Sequence, residues 1–171
     1  MDDLRALIRD VPDFPAPGIV FKDITPLLGN ATAFARSVGL MSEGLRPMEP
    51  TCIVGIESRG FIFGALIAVE LGLGFVPVRK FGKLPWRTRT LTYDLEYGSD
   101  TLEVHEDAVT AGGRVVVVDD VLATGGTAAA TVDLIRGAGA LVVAVSVLVE
   151  LEFLGGRSRL DVPVKAVIRY E

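Results

Sequence analysis

Runs of apolar, mostly β-branched residues recur along the chain. They cover residues 53–56, 75–78, 115–118 and 141–149. Such continuous runs are typical of strands that are buried on both faces of a parallel sheet, rather than strands with one solvated face. The segments between the runs predict helices over residues 61–71 and 127–138. Strands that alternate with helices imply βαβ crossovers, so the pattern predicts an α/β fold with an open, mainly parallel sheet flanked by helices.

Two segments interrupt this alternation. Residues 14–28 are rich in proline and predict an irregular but structured N-terminal flap, which precedes a helix over residues 31–45. In residues 81–104, aromatic and apolar side chains alternate with polar ones up to a Gly98-Ser99-Asp100 turn. This second segment predicts a projecting β-hairpin.

Length and charge narrow the possible functions. The chain has 171 residues, which suits a single domain over residues 1–171. Its longest apolar stretch, residues 141–151, falls well short of the ~20 residues that span a membrane. The acidic start of the chain does not resemble a secretory signal, so we expect a cytoplasmic protein. A net charge of −5 argues against a nucleic-acid surface, and the lone Cys52 lies in an apolar strand where a structural role is expected.

The segment with the clearest chemistry is the string VVVVDDVLATGGT at residues 115–127. Gly125 and Gly126 allow a tight turn at a helix start, where free backbone N–H groups favour a phosphate. No lysine precedes Thr127, unlike in a Walker loop, so a single terminal phosphate suits the site better than ATP. Asp119 and Asp120 supply acceptors for sugar hydroxyls, and the alternative is that they only cap a turn.

This string resembles the signature with which type I phosphoribosyltransferases bind phosphoribosyl pyrophosphate (PRPP). The resemblance implies that the 5′-phosphate is bound by Ala123, Thr124, Gly125, Gly126 and Thr127. It also implies that Asp119 and Asp120 bind the ribose hydroxyls. We expect Mg²⁺ to enter with PRPP and to be held mainly by it, without a dedicated set of protein ligands.

Further strings are similar to the adenine-specific branch of that family across almost the whole chain. They are FPAPGIVFKDITP at residues 14–26, GIESRGF at 55–61, RKFGKLP at 79–85 and LEYG at 95–98. The resemblance implies a homodimeric purine-salvage enzyme that joins adenine to PRPP, giving AMP and pyrophosphate. It also implies that the flap binds the base and that the hairpin is a lid over the site.

The adenine site is expected on the flap and at the end of the central strand. Phe21 can offer its ring face to a purine, and nearby main-chain amides can pair with the base edge. In the family, the positions matching Phe21 and Val121 hold the base, and Val20 and Lys22 contact it through the backbone. Many relatives carry arginine at the Lys22 position. Without the surrounding string, Phe21 alone would suggest a core aromatic.

Arg59 follows a strand and precedes a helix, where its guanidinium suits a pyrophosphate leaving group. An ion pair with Glu57 or Glu70 is the alternative. The resemblance implies that Arg79, Lys80 and Lys83 also bind pyrophosphate, although a solvated basic loop remains open. The Arg79 position also suggests a contribution to the site of a neighbouring subunit.

Glu96 and Tyr97 lie near the predicted hairpin tip. The resemblance implies that Glu96 is catalytic, together with Arg59, and assists the purine near N7 or N9, while Tyr97 contacts the pyrophosphate. Cross-strand pairing is the alternative for both. Trp86 stands where the family usually has glycine, and this bulky side chain is expected to affect the flexibility of the lid. His105, the single histidine of the chain, has no assigned role.

The sequence leaves two alternative functions open. The chain would be a regulatory protein if it kept the PRPP loop but bound RNA or DNA. A different purine, such as hypoxanthine or xanthine, is the second alternative.

Overall fold

The computed structural model describes residues 2–94 and 98–171, which divide into two compact units, Met1–Leu40 and Met41–Glu171. The first unit contains α1 (Asp2–Arg5), β1 (Arg9–Pro12), β2 (Val20–Asp23), α2 (Thr25–Leu28) and most of α3 (Ala31–Ser42). The second unit contains η1 (Arg46–Met48), β3 (Cys52–Ile56), α4 (Gly60–Leu71), β4 (Gly74–Lys80), β5 (Thr88–Asp94), β6 (Ser99–His105), β7 (Arg114–Leu122), α5 (Gly126–Gly137), β8 (Leu141–Leu151), η2 (Glu152–Leu154), η3 (Gly156–Arg159) and β9 (Val164–Tyr170), where η marks a short 3₁₀ helix. The expectation of one domain stays a prediction.

In the first unit, the flap contains more regular structure than the sequence predicts. β1 and β2 form an antiparallel pair, in which Val11 lies opposite Phe21 and Asp10 opposite Lys22. The predicted helix over residues 31–45 begins at Ala31 but ends at Ser42. Gly44 has a φ of +70°, a left-handed conformation that a helix cannot continue through.

The second unit is built on a seven-stranded sheet with the order β5-β6-β4-β3-β7-β8-β9. The pairs β3–β4, β3–β7, β7–β8 and β8–β9 are parallel, whereas β4–β6 and β5–β6 are antiparallel. The predicted α/β class, with a mainly parallel sheet and flanking helices, is confirmed. β9 was not predicted, and it adds one edge of the sheet.

The central strand β7 is buried on both faces, as its apolar run predicts. Val115, Val116, Val117 and Val118 are all fully buried. Val115 and Val117 belong to the apolar cluster that α5 joins through residues such as Ile135, and the alternating Val116 and Val118 face the other side of the sheet. On that other side, α4 packs against β3, β4 and β7. None of the helices in residues 2–94 and 98–171 is both long enough and apolar enough to cross a bilayer.

The predicted hairpin is confirmed as β5 and β6, which pair in register from Thr88 opposite His105 to Asp94 opposite Ser99. Ser99 and Asp100, which the sequence assigns to the turn, already belong to β6. Its base is integrated into the main sheet, because Leu102 and Val104 are buried in the same cluster as the central strands. Trp86 stands just before β5 and contacts the His105 ring edge-on, with centroids 6.3 Å apart.

Candidate functional site

The loop at the carboxyl end of β7 lines a concavity of about 330 Å³, measured with its open mouth. The lining residues are Asp119, Val121, Leu122, Ala123, Thr124, Gly125, Gly126, Thr127 and Ala128. Ligands of open α/β sheets bind at this end of the strands. The structure therefore brings the predicted phosphate loop and Asp119 together.

The loop presents backbone donors at the start of α5. Gly125 precedes the helix with a φ of +80°, and no side chain of the described residues caps the helix or places an acid in its first turn. The first amide groups of such a helix have no helical partner, and they attract an anion. Thr127 Oγ1 lies 3.1 Å from the hydroxyl of Tyr93 on β5, which links the hairpin to this loop.

The two adjacent carboxylates differ in their surroundings. The Asp120 amide donates a 2.8 Å hydrogen bond to Asp119 Oδ1. Burial raises the pKa of Asp119 well above its ordinary value, and the nearby charge of Asp120 raises it further. The Asp120 side chain is buried, and its Oδ2 lies 2.5 Å from Nε of Arg59 as an ion pair without good hydrogen-bond alignment. The Asp119 side chain therefore lines the cavity, while the Asp120 carboxylate pairs with the guanidinium of Arg59.

Arg59 lies on the loop between β3 and α4, and its side chain points to the end of β7. The alternative partners proposed for it are engaged elsewhere: Glu57 binds Arg79, and Glu70 accepts a hydrogen bond from Ser42. The next residue, Gly60, explains the close approach. A methyl group there would lie 2.6 Å from the carbonyl oxygen of Val118 and 3.0 Å from Asp119 Oδ1. Gly60 belongs to the GIESRGF string, but the sequence alone assigned it no role.

Two side chains of the predicted basic cluster, Arg79 and Lys80, are paired with carboxylates. Arg79 donates hydrogen bonds of 3.2 Å to each carboxylate oxygen of Glu57 and a third to the carbonyl of Lys83. Burial acts to raise the pKa of Glu57, but Arg79 and the amide of Lys80 hold it below its ordinary value. The ammonium group of Lys80 lies 2.9 Å from Asp100, and this contact raises the pKa of the lysine. The Lys83 amide donates to Glu103.

The predicted adenine residues fall in both units. In the first unit, Val20 is exposed and Phe21 is half-buried, with its ring edge-to-face against Phe14 at 5.3 Å. The Lys22 ammonium group lies 2.6 Å from Asp10. In the second unit, Val121 is half-buried and lines the cavity. The predicted catalytic Glu96 and the predicted pyrophosphate ligand Tyr97 lie outside the described residues.

Carboxylate oxygens are the ligands that a hard cation such as Mg²⁺ prefers. Asp119 and Asp120 are the acidic pair at this site. In residues 2–94 and 98–171, no group of three or more His, Cys, Asp or Glu side chains is arranged to hold a metal.

Comparison with known proteins agrees with this geometry. Residues 30–170 match the model of the phosphoribosyl transferase domain. An adenine phosphoribosyltransferase from Synechococcus sp. is 54% identical over 170 residues, which cover 99% of each chain. A crystal structure of adenine phosphoribosyltransferase from Rhodothermus marinus superposes with a TM-score of 0.94 at 51% identity, covering 99% of this chain and 97% of that one. The Saccharomyces cerevisiae enzyme, solved with adenine and D-2,5-dideoxy-2,5-imino-altritol 1,6-bisphosphate, superposes with a TM-score of 0.93 at 41% identity, covering 97% of each chain.

Proposed function

The chain belongs to the phosphoribosyl transferase domain family, within it to the adenine phosphoribosyltransferases, and on that premise we propose how its residues share the reaction. The reaction transfers the 5-phosphoribosyl group from PRPP to adenine and yields AMP and pyrophosphate, a step of purine salvage. One observation carries the assignment of the site. The two carboxylates near the end of β7 lie within six residues of Gly125, the glycine that precedes α5.

The 5′-phosphate binds in the turn formed by residues 123–127. The left-handed Gly125 and the uncapped start of α5 support this assignment, because they direct backbone N–H groups toward an anion. The ribose hydroxyls bind Asp119 and Asp120. The half-buried position of Asp119 in the cavity lining supports its role as a hydroxyl acceptor.

Arg59 binds the leaving pyrophosphate, and it is the catalytic cation of the described residues. The bond between C1 of the ribose and the pyrophosphate oxygen breaks with its electron pair leaving on pyrophosphate. Charge therefore collects on pyrophosphate, and an oriented guanidinium stabilises it. The contact between Arg59 and Asp120 supports a position beside the ribose. Pyrophosphate competes with Asp120 for this guanidinium.

Arg79, Lys80 and Lys83 complete the pyrophosphate site, with Tyr97 as a further predicted ligand. The hydrogen bonds from Arg79 to Glu57 hold the Arg79 guanidinium in one orientation at the end of β4. This orientation supports a role for Arg79 as a positively charged ligand of pyrophosphate. Mg²⁺ enters with PRPP and is held mainly by it, and Asp119 and Asp120 are the described oxygen donors that fit it. When bound, the ion supplies positive charge to the leaving pyrophosphate.

Adenine binds Val20, Phe21, Lys22 and Val121. The half-buried position of Phe21 on the flap supports a stacking role, because an aromatic ring of this kind can pack against a purine. N9 of adenine bonds to C1 and the base loses a proton, and Glu96 is the group predicted to assist the purine near N7 or N9. A lid that excludes water protects the positive ribosyl centre from hydrolysis.

The protein acts as a cytoplasmic homodimer. The exposed face of α4 supports a partner, since Ile62, Leu66 and Val69 form an apolar stripe at helical spacing. Val69 is 79% exposed. A second copy of the chain is the partner proposed for this stripe.

The function is tested by incubating the protein with PRPP, Mg²⁺ and each purine base, and by identifying the nucleotide formed. We expect AMP with adenine and no comparable product with hypoxanthine or xanthine. A nucleotide formed only from one of the other bases would refute adenine as the substrate. Salt-dependent binding to RNA or DNA, with no nucleotide formed from any base, would favour the regulatory alternative.

A further inference from the structure

A second backbone turn is docked on the phosphate loop. Gly156, the first residue of η3, lies so close to this loop that a methyl group there would overlap the carbonyl oxygen of Ala123 and lie 2.8 Å from the amide nitrogen of Gly125. A methyl group on Gly125 would in turn overlap the carbonyl of Gly156. Because two backbones touch without intervening side chains, the position of η3 relative to the phosphate loop is fixed.

The next residue anchors η3 to the sheet. Arg157 donates a 2.8 Å hydrogen bond to Glu150 and another of 2.8 Å to the carbonyl of Val164. Glu150 is only 2% exposed and lies opposite Leu122 at the end of β7. A second bond of 2.5 Å joins Arg157 to the other carboxylate oxygen of Glu150. Such a bidentate pair with a buried carboxylate is well oriented. Arg157 is therefore committed to holding η3 in place.

Arg159, the last residue of η3, is placed differently. Its Nη1 lies 3.7 Å from the position that a methyl group on Gly126 would occupy, at the first residue of α5. In the described part of the chain, no carboxylate lies within ion-pair distance of Arg159, whereas Arg136 pairs with Asp161. In a helix the Cα–Cβ bonds point toward the N-terminus. A methyl group on Gly126 would therefore point toward the phosphate site, and Arg159 Nη1 lies beside that position.

We propose that Arg159 is a further ligand of the 5′-phosphate, from outside the loop of residues 123–127. This inference rests on the proposed function of that loop. The backbone amides of the loop supply only partial charges, whereas a guanidinium beside them adds a full positive charge and up to two N–H donors to the same anion. The PRPP signature does not contain this residue, because Arg159 lies more than thirty residues further along the chain.

The test compares Arg159→Gln with Arg136→Gln, which removes the same charge from the other end of α5, about 15 Å away. Each full-length protein is titrated with ribose 5-phosphate and, separately, with pyrophosphate by calorimetry at low salt. We expect Arg159→Gln to weaken ribose 5-phosphate binding about tenfold, as loss of one charge-assisted contact does at an exposed position. Arg136→Gln should change it less than twofold, and pyrophosphate binding should stay unchanged in both variants.

Steady-state kinetics give the second measurement. The KM for PRPP should rise about tenfold in Arg159→Gln, with kcat and the KM for adenine within twofold of wild type, and Arg159→Lys should recover part of the loss. Unchanged affinity of Arg159→Gln for ribose 5-phosphate would overturn the inference. An equal loss of affinity for pyrophosphate would also overturn it, because it would show only a general effect of the lost positive charge. If the wild-type protein made no AMP, the proposed function would fail, but a selective loss of ribose 5-phosphate binding would still support Arg159.

Discussion

Replacing Gly156 by alanine tests the contact between η3 and the phosphate loop. Ordinary van der Waals contact begins at 3.4 Å, and the added methyl group would lie 2.8 Å from the Gly125 nitrogen and closer still to the carbonyl oxygen of Ala123. The two turns must therefore separate by more than about 0.6 Å. Forcing a group into such a packed position costs about 1–3 kcal/mol of unfolding free energy. The separation also displaces the amides of the phosphate loop, and a shift of this size lowers kcat/KM for PRPP about 10²-fold.

The neighbouring Gly155→Ala variant is the matched control. Gly155 has a φ of +65°, but a methyl group there meets nothing within 4 Å. This control should therefore lose about 1–2 kcal/mol through backbone strain alone and keep the wild-type affinity for PRPP. Denaturant unfolding gives the stability of each variant, and calorimetry with PRPP and Mg²⁺ gives the affinity. If Gly156→Ala bound PRPP as tightly as Gly155→Ala does, the phosphate loop would not depend on η3, and the reasoning would be refuted.

Three further predictions concern the proposed site and interface. Arg59→Ala should lower kcat/KM for PRPP by about 10²–10³ in steady-state assays, and an unchanged value would remove Arg59 from the pyrophosphate site. The raised pKa of Asp119 means that its protonated form is favoured by folding, so the stability it contributes is present below pH 3.8 and is lost as the pH rises through the raised value. Asp119→Asn should therefore increase the unfolding free energy at pH 7 and reduce the loss of unfolding free energy as the pH rises from 4, and it should weaken PRPP binding. Denaturant unfolding measured between pH 4 and pH 7 would contradict this if the unfolding free energy fell with pH as steeply as in the wild type. Val69→Asp should convert a dimer to a monomer in sedimentation experiments, and a dimer that survived would place the interface elsewhere.

The sheet was predictable where strands are buried on both faces. The run Val115–Val118 is short and entirely β-branched, which favours a buried strand over a buried helix, and it forms the centre of β7. β9 was missed because it lies at an edge: Ile168 is its only buried residue, and Lys165 and Arg169 interrupt its apolar pattern. The early end of α3 depends on the left-handed conformation of Gly44, which the sequence permits but does not require.

The phosphate loop was predictable because its chemistry is local: the acids, the glycines and the helix start all lie within residues 119–127. The ion pairs around it were not, because they depend on which strands are neighbours. β3 lies between β4 and β7 in the sheet, so the loop after β3 can pair with residues at the ends of both. Glu57 pairs with Arg79 from β4, and Arg59 reaches Asp120 from β7. The sequence gives no means of choosing these partners over a local pair between Glu57 and Arg59.

Gly60 and Gly156 are harder still to identify from sequence, because each is required by a backbone contact with a residue more than thirty positions away. The parts of this site that hold its catalytic groups in position are thus fixed by sheet order and close backbone packing rather than by the signature itself.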